Sequence, residues 1–310
     1  MIRRTSPPAS RLNISRALAA VADRMVRRDA GMWLLALPTL LLFVVFNWQP
    51  LVTTVIDSFY YLQGFHAVQF VGLTNYRNVL QNAIFLQTLD NTFVYVGWSL
   101  VVGFPLPILA AVAINEMRHG RGFLKFAVYL PAMVPAIVTA LLWGLLYQPG
   151  DAGLLNRLLE AFGLAPSMWL ENPHLTILLI IVATTWGGFG GTTLLYLASL
   201  QGINPELYDA ASIDGAGMRQ KLHHITLPQI APIILIFLVL QIIGVFQILI
   251  QPLAMTSGGP NDASMSMLLL SYYYAFKFFI PADSMAIGVI TFAILLIFSA
   301  LYFRLNRRFS

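Results

Sequence analysis

Glu206-Leu-Tyr-Asp-Ala-Ala-Ser-Ile-Asp-Gly-Ala-Gly-Met-Arg-Gln-Lys-Leu-His-His-Ile-Thr-Leu-Pro228 is a polar stretch set between two long apolar runs. Pro205 and Glu206 suit the first turn of a short helix, where a missing N–H costs little and a carboxylate meets the positive dipole end. Ala210 and Ala211 propagate that helix with little bulk, so another surface can approach closely. Gly215 stops it cheaply in a left-handed conformation, and Gly217 adds a second breaker. Pro228 then opens the next apolar helix. The expectation is helix, turn, helix, exposed to water between two membrane spans. An ordinary connection needs only a few residues.

Composition points to a membrane independently. Of the 310 residues 58% are hydrophobic and 10% charged, with a mean hydropathy of +0.75; a soluble domain carries roughly 25% charged residues. Six apolar segments stand out, near 32–58, 91–115, 126–148, 174–200, 229–254 and 283–303, each long enough to cross a bilayer. Pro131 and Pro135 interrupt the third, which a membrane helix tolerates if neighbours satisfy the freed carbonyls. Gly187, Gly188, Gly190 and Gly191 in the fourth invite close helix packing or a local break. The fold class is an all-α integral membrane protein of six spans. Its parts are a basic arm (1–31), a six-span domain (32–303) with the polar loop 201–228, and a basic tail (304–310).

Arg and Lys set the orientation. Fifteen of the 18 lie in the arm, the 116–125 loop, the polar loop and the C-terminus; Arg77, Arg157 and Lys277 occupy the alternate loops. Both termini and the polar loop therefore belong on the cytoplasmic side of a cell membrane. A nucleic-acid partner would need these charges gathered on one soluble face, and they are not. The arm is too long in charge to be a cleaved signal peptide. Residues 14–28 alternate Arg with apolar residues, as an interfacial amphipathic helix or a disordered tail would. Across the membrane, Leu154 to Phe162 reads as a helix on the outer interface, with Met168-Trp169-Leu170 as a headgroup anchor.

The polar loop closely resembles the one by which ABC importer permeases grip their ATPase. That family's motif is Glu-Ala-Ala, three residues, Gly, nine residues, Ile, one residue, Leu-Pro. Asp209, Ala210 and Ala211 fill the triplet, and Gly215, Ile225, Leu227 and Pro228 follow at the family's spacing. Asp209 stands where Glu is usual, so the charge is kept and its reach is shorter. Phe70-Val71-Gly72-Leu73-Thr74-Asn75-Tyr76 and Thr256-Ser257-Gly258-Gly259-Pro260 resemble outer-loop motifs of the carbohydrate, maltose-type branch, with Ser257 in place of Gly. The resemblance implies a coupling helix between spans 4 and 5, with Glu206, Asp209, Ala210, Ala211, Asp214, Gly215, Ile225, Leu227 and Pro228 as its contacts. It also implies a second related permease, two ABC ATPase subunits that bind ATP and Mg, and an extracytoplasmic substrate-binding protein. No cofactor is expected in this chain itself.

The residues agree that energy comes from a partner. A phosphate loop needs Gly-Lys-Ser/Thr, and none of Lys125, Lys221 and Lys277 has those neighbours. Ion-coupled transport uses carboxylates or His within spans; Asp57, Asp90 and Asp283 sit at span ends instead. A membrane enzyme needs a nucleophile-base or metal constellation. His223 and His224 are the one histidine pair, and adjacent positions on a helix point apart.

For substrate contact the candidates are Gln241, Gln247 and Gln251, the last two four apart on one helical face. Buried amides in lipid must be paired, with cargo or with another helix. Trp186, Tyr196, Phe246, Tyr272, Tyr273 and Tyr274 could supply sugar-facing rings, or pack. Uncharged groups suit a carbohydrate; glycerol phosphate or another polar solute is the alternative.

Overall fold

The computed structural model describes residues 32–117 and 119–306. The expected amphipathic helix at 14–28 and the end of the basic tail lie outside these residues. The chain divides into two units, Met1–Ile56 and Asp57–Ser310.

The first unit holds almost all of α1 (Met32–Asp57), apolar on every side, as suits a helix met by lipid. At its middle Val44–Trp48 widens into a π turn, with the Gln49 N–H bonded to the Val44 carbonyl. Pro50 follows, and it could not have donated to Phe46 in a regular ladder.

The second unit begins with a two-stranded antiparallel hairpin, β1 (Tyr60–Gln63) and β2 (His66–Phe70), with a bulge between Tyr61 and Leu62. The all-α expectation is corrected here: Tyr, Phe and Val favour strands, and Gly64 turns at φ +62°. Then come α2 (Thr74–Gln81), α3 (Ala83–Glu116), α4 (Arg121–Tyr129), α5 (Ala136–Leu146), α6 (Leu154–Ala161), α7 (Thr176–Gln201), α8 (Pro205–Ile213), α9 (Met218–Phe246), α10 (Ile250–Thr256), α11 (Met267–Phe276) and α12 (Pro281–Asn306). Among the described residues five helices are long and apolar enough to cross a membrane. A sixth span requires α4 and α5 together, and they meet at 93°. A 3₁₀ turn at Leu130–Met133 joins them, placed by Pro131 and Pro135.

Three further boundaries differ from expectation. Span 2 starts at Ala83, because Asn82 caps it: the Asn82 Oδ1 accepts from the Ile84 N–H at 2.9 Å. The fifth span starts at Met218, ten residues before Pro228, and a π turn at Leu222–Thr226 lets the ladder pass the missing proline N–H. It ends at Phe246, not 254, and α10 is a separate helix.

The core stacks in three tiers along α3, with α11 and α12 closing the first and α7 and α9 the other two. Val79, Phe85, Leu269 and Ile287 form one end; Tyr95, Ile180, Ile181 and Phe246 the middle; Ala111, Ile114, Tyr196 and Ile230 the other end. Above the first tier, hydrogen bonds stitch the loop motifs into a cap. The Asn75 amide donates to the carbonyls of Ser58 (2.8 Å) and Tyr60 (2.9 Å). The Tyr95 hydroxyl donates to the Ser264 carbonyl at 2.9 Å, and the Asn91 amide to that of Asp262 at 2.7 Å. Ser257 adopts φ +52°, a left-handed position that Gly would take without strain.

Of the four clustered glycines, Gly190 is where α4 crosses α7. A Cβ there would lie 2.2 Å from the Val128 carbonyl oxygen, whereas at Gly188 it would meet nothing within 4 Å. Gly190→Ala should therefore destabilise the protein by about 1–3 kcal/mol, seen as a Tm lower by several degrees, while Gly188→Ala leaves Tm unchanged or raised.

Candidate functional site

Two polar regions stand apart from the core. The first is the 201–228 loop. Asn204 caps α8: its Oδ1 accepts from the Glu206 N–H at 3.1 Å and its amide donates to the Glu206 carboxylate at 3.1 Å. Sequence reasoning missed this cap, although Asn before Pro is its usual signature. Gly215, at φ +76°, closes the helix. The Ala216 N–H reaches back to the Ala211 carbonyl (2.8 Å) and the Gly215 N–H to that of Ser212 (3.1 Å), a double closure that satisfies the free carbonyls.

Side chains lash α8 to α9. The Tyr208 and Thr226 hydroxyls pair at 3.0 Å, and the Lys221 ammonium donates to the Ser212 hydroxyl at 2.7 Å. Between α8, α9 and the end of α3 lies a cavity of about 400 Å³ lined by Asn115, Glu116, Tyr208, Asp209 and Lys221. Glu206, Asp209, Ala210 and Asp214 are exposed, Ala211, Ile225 and Leu227 half-buried, and Pro228 exposed at the start of the apolar run. Ile213, absent from the sequence-based set, is 87% exposed.

The second region lies within the spans. Three contiguous cavities of about 470, 500 and 140 Å³ share Thr184 on α7. Gln241 borders the latter two and Gln251 the first two. Gln247 borders the middle one and an apolar cavity of about 260 Å³ beside Phe246 and Phe292. Gln247 and Gln251 do not share a helical face: Gln247 caps α9 and Gln251 lies in α10. The turn at 247–249 brings them to one recess by another route. Thr139 on α5 also lines it, is 2% exposed, and its hydroxyl has no hydrogen-bond partner in the protein. Among the described residues the lining carries no charged side chain. Thr139 and Thr184 were missed because a threonine inside an apolar span ordinarily bonds its own helix, as Thr184 does to the Ile180 carbonyl.

The aromatic candidates lie elsewhere. Trp186 stacks edge-on against Trp143 at 6.0 Å, and Tyr196 against Phe237 at 5.0 Å. Phe246 is fully buried in the middle tier. Tyr273 donates to the Ser257 carbonyl at 3.1 Å, Tyr274 accepts from the Asn82 amide at 2.8 Å, and Tyr272 packs on Phe276. Tyr273 and Tyr274 thus tie α11 into the cap, Tyr272 packs within α11, and none of the three lines the recess.

A model of the family described as binding-protein-dependent transport system inner membrane component matches residues 103–310. The chain is 34% identical over 295 residues to the trehalose/maltose transport system permease protein MalF of Thermococcus litoralis, covering 93% of this chain and 97% of that protein. It is 31% identical over 291 residues to the arabinooligosaccharides transport system permease protein AraP of Bacillus subtilis, covering 93% and 92%. Among solved structures it resembles a chain of a bacterial ABC transporter involved in the import of the acidic polysaccharide alginate. The TM-score is 0.82 at 25% identity, over 93% of this chain and 98% of that one. A second structure of the alginate transporter, in complex with alginate pentasaccharide-bound periplasmic protein, matches at 0.82 and 26% identity, over 92% and 97%.

Limited proteolysis reports on the loop. Asn204→Ala removes a cap worth about 1 kcal/mol, so tryptic cleavage at Arg219 and Lys221 should quicken about fivefold; Gly215→Val should do at least as much.

Proposed function

Because the chain belongs to the family of binding-protein-dependent transport system inner membrane components, we propose that it lines the path of an ATP-driven importer for an uncharged carbohydrate. One observation carries the cargo: the helix breaks at 130–135 and 247–249, and the π turn ending at Gly103, all open on the recess that Thr184 joins. Backbone leaves a helix at membrane depth only where it is buried in protein or faces a water-filled space. The recess offers amides and hydroxyls that both donate and accept, as a polyol requires. A phosphorylated cargo would need cationic partners, and the described lining has none.

In this account the 201–228 loop is cytoplasmic, and α8 is a coupling helix that seats Glu206, Ala210, Ile213 and Gly215 in an ATPase subunit. ATP and Mg²⁺ are held by two such ATPases, beside a second related permease. An extracytoplasmic binding protein delivers the sugar to the capped side. The fifteen-to-three charge bias supports this orientation. α9 runs as one helix, through the π turn at Leu222–Thr226 and Pro232, from the loop to Gln241, about 35 Å at 1.5 Å per residue, so movement of α8 reaches the recess along a single element. Alternating access follows: closure of the ATPases rocks the spans, the recess takes the sugar, and hydrolysis returns it inward.

Uptake into proteoliposomes holding the assembled transporter tests both halves. Gln251→Leu and Gln241→Leu each remove one neutral hydrogen bond of about 1 kcal/mol and should cut uptake about fivefold while ATP hydrolysis persists. Gly215→Pro, or bulky residues at Ala210 and Ala211, should abolish sugar-stimulated hydrolysis with membrane insertion intact. Normal transport in those loop variants would refute the coupling role.

A further inference from the structure

The 149–173 loop builds something that the transport path does not use. It lies at the end of α7 opposite the 201–228 loop, about 39 Å away at 1.5 Å per residue. Its centre is Asn156 on α6, fully buried. The Asn156 amide donates to the carbonyls of Gly150 (3.2 Å) and Ser167 (3.0 Å); its oxygen accepts from the Ser167 N–H (2.9 Å) and the Trp169 indole N–H (2.6 Å). Four bonds from one side chain hold α6 in a fixed attitude beside the outer end of α5.

That attitude divides α6 into three sectors. At about 100° per residue, Leu155, Leu159 and Asn156 face the protein. Leu154, Leu158 and Phe162 fall together within about 80° and are exposed, Phe162 by 81%. Arg157 and Glu160 make up the third sector, also exposed. A helix packed on protein in water needs two sectors, apolar and polar. An exposed apolar sector set between the packed one and the charged one fits a helix lying where protein, hydrocarbon and water meet.

Continuity identifies the occupant. The outward face of α5, with Ile137, Val138, Leu141 and Leu145 exposed, is apolar span surface. At its end Trp169, a residue type that favours headgroup depth, is half-buried with its ring 5.7 Å from that of the buried Tyr147. α6 packs directly beside α5, so its exposed leucines lie next to this span.

We propose that α6 is an interfacial foot: the stripe of Leu154, Leu158 and, at its C-terminal cap, Phe162 sits in the acyl-headgroup boundary of the leaflet away from the 201–228 loop, and it fixes the depth of the half-span α5. This requires only that the chain sits in a bilayer, so it stands apart from the cargo assignment. The chain has no cysteine, so nitroxide labels can be placed singly through Leu158→Cys, Phe162→Cys and Glu160→Cys. Leu154→Cys serves on the same stripe should one variant fail to assemble. The complex is placed in phosphatidylethanolamine/phosphatidylglycerol nanodiscs, and collisions with oxygen, which concentrates in lipid, are compared with those of a water-soluble nickel chelate. Labels at 158 and 162 should favour oxygen several-fold, and the label at 160 should favour nickel. Nickel dominance at 158 and 162 would place the stripe in water and overturn the proposal. Exclusion of both reagents would overturn it too, by showing that a protein partner covers the stripe.

Discussion

In hydrocarbon a peptide N–H or carbonyl without a partner costs several kcal/mol, and the architecture of this chain depends on that constraint. Its spans are helices wherever lipid surrounds them. Three departures of residues 57–306 from regular α-helix border a cavity: Pro131 to Pro135, the turn Gln247 to Leu249 after α9, and the π turn at Ser99–Gly103 through Gly103. The π turn at Leu222–Thr226 borders the separate cavity beneath α8. Irregular backbone and polar recess are two views of one feature, since the freed groups need water or cargo and the cavity supplies the room.

Rigidity is distributed to match. The outer cap is cross-linked by amide and hydroxyl side chains, so the end of the bundle facing away from the 201–228 loop behaves as one piece. The loop is independently closed by Asn204 and Gly215 and tied to α9 through Tyr208 and Lys221. Between them α4 and α7 touch backbone to backbone at Gly190, while α5 turns away at 93°. A stiff cap, a stiff lever and a bent half-span beside the recess are the parts that alternating exposure needs.

Much of this was legible in the sequence, and the failures have physical causes. Long apolar runs and the helix-stopping glycines are local signals, so the spans and the loop could be placed, although the start of span 2 and both ends of span 5 lay eight to eleven residues from expectation. Pro252 was an unused signal. A proline disfavours a continuous helix through the carbonyl four residues back, here that of Ile248; α9 absorbs Pro232, but the run 229–254 breaks at 247–249, so Gln247 does not share a face with Gln251. Tyr272, Tyr273 and Tyr274 looked like sugar platforms because composition cannot tell that α11 belongs to the cap. Thr184 and Thr139 matter only because three cavities meet between their helices. That is a tertiary fact, and no period or motif along the chain encodes it.

Whether the recess is wet is the most direct question. A water-borne cationic thiol reagent can be applied to the assembled transporter carrying Thr184→Cys, with Leu141→Cys on the apolar exposed face of α5 as reference. The account predicts that position 184 reacts far faster than position 141 and that its rate changes when ATP is added. Equal, slow modification at both positions would mean a dry, packed interior and would contradict a transport path through this chain.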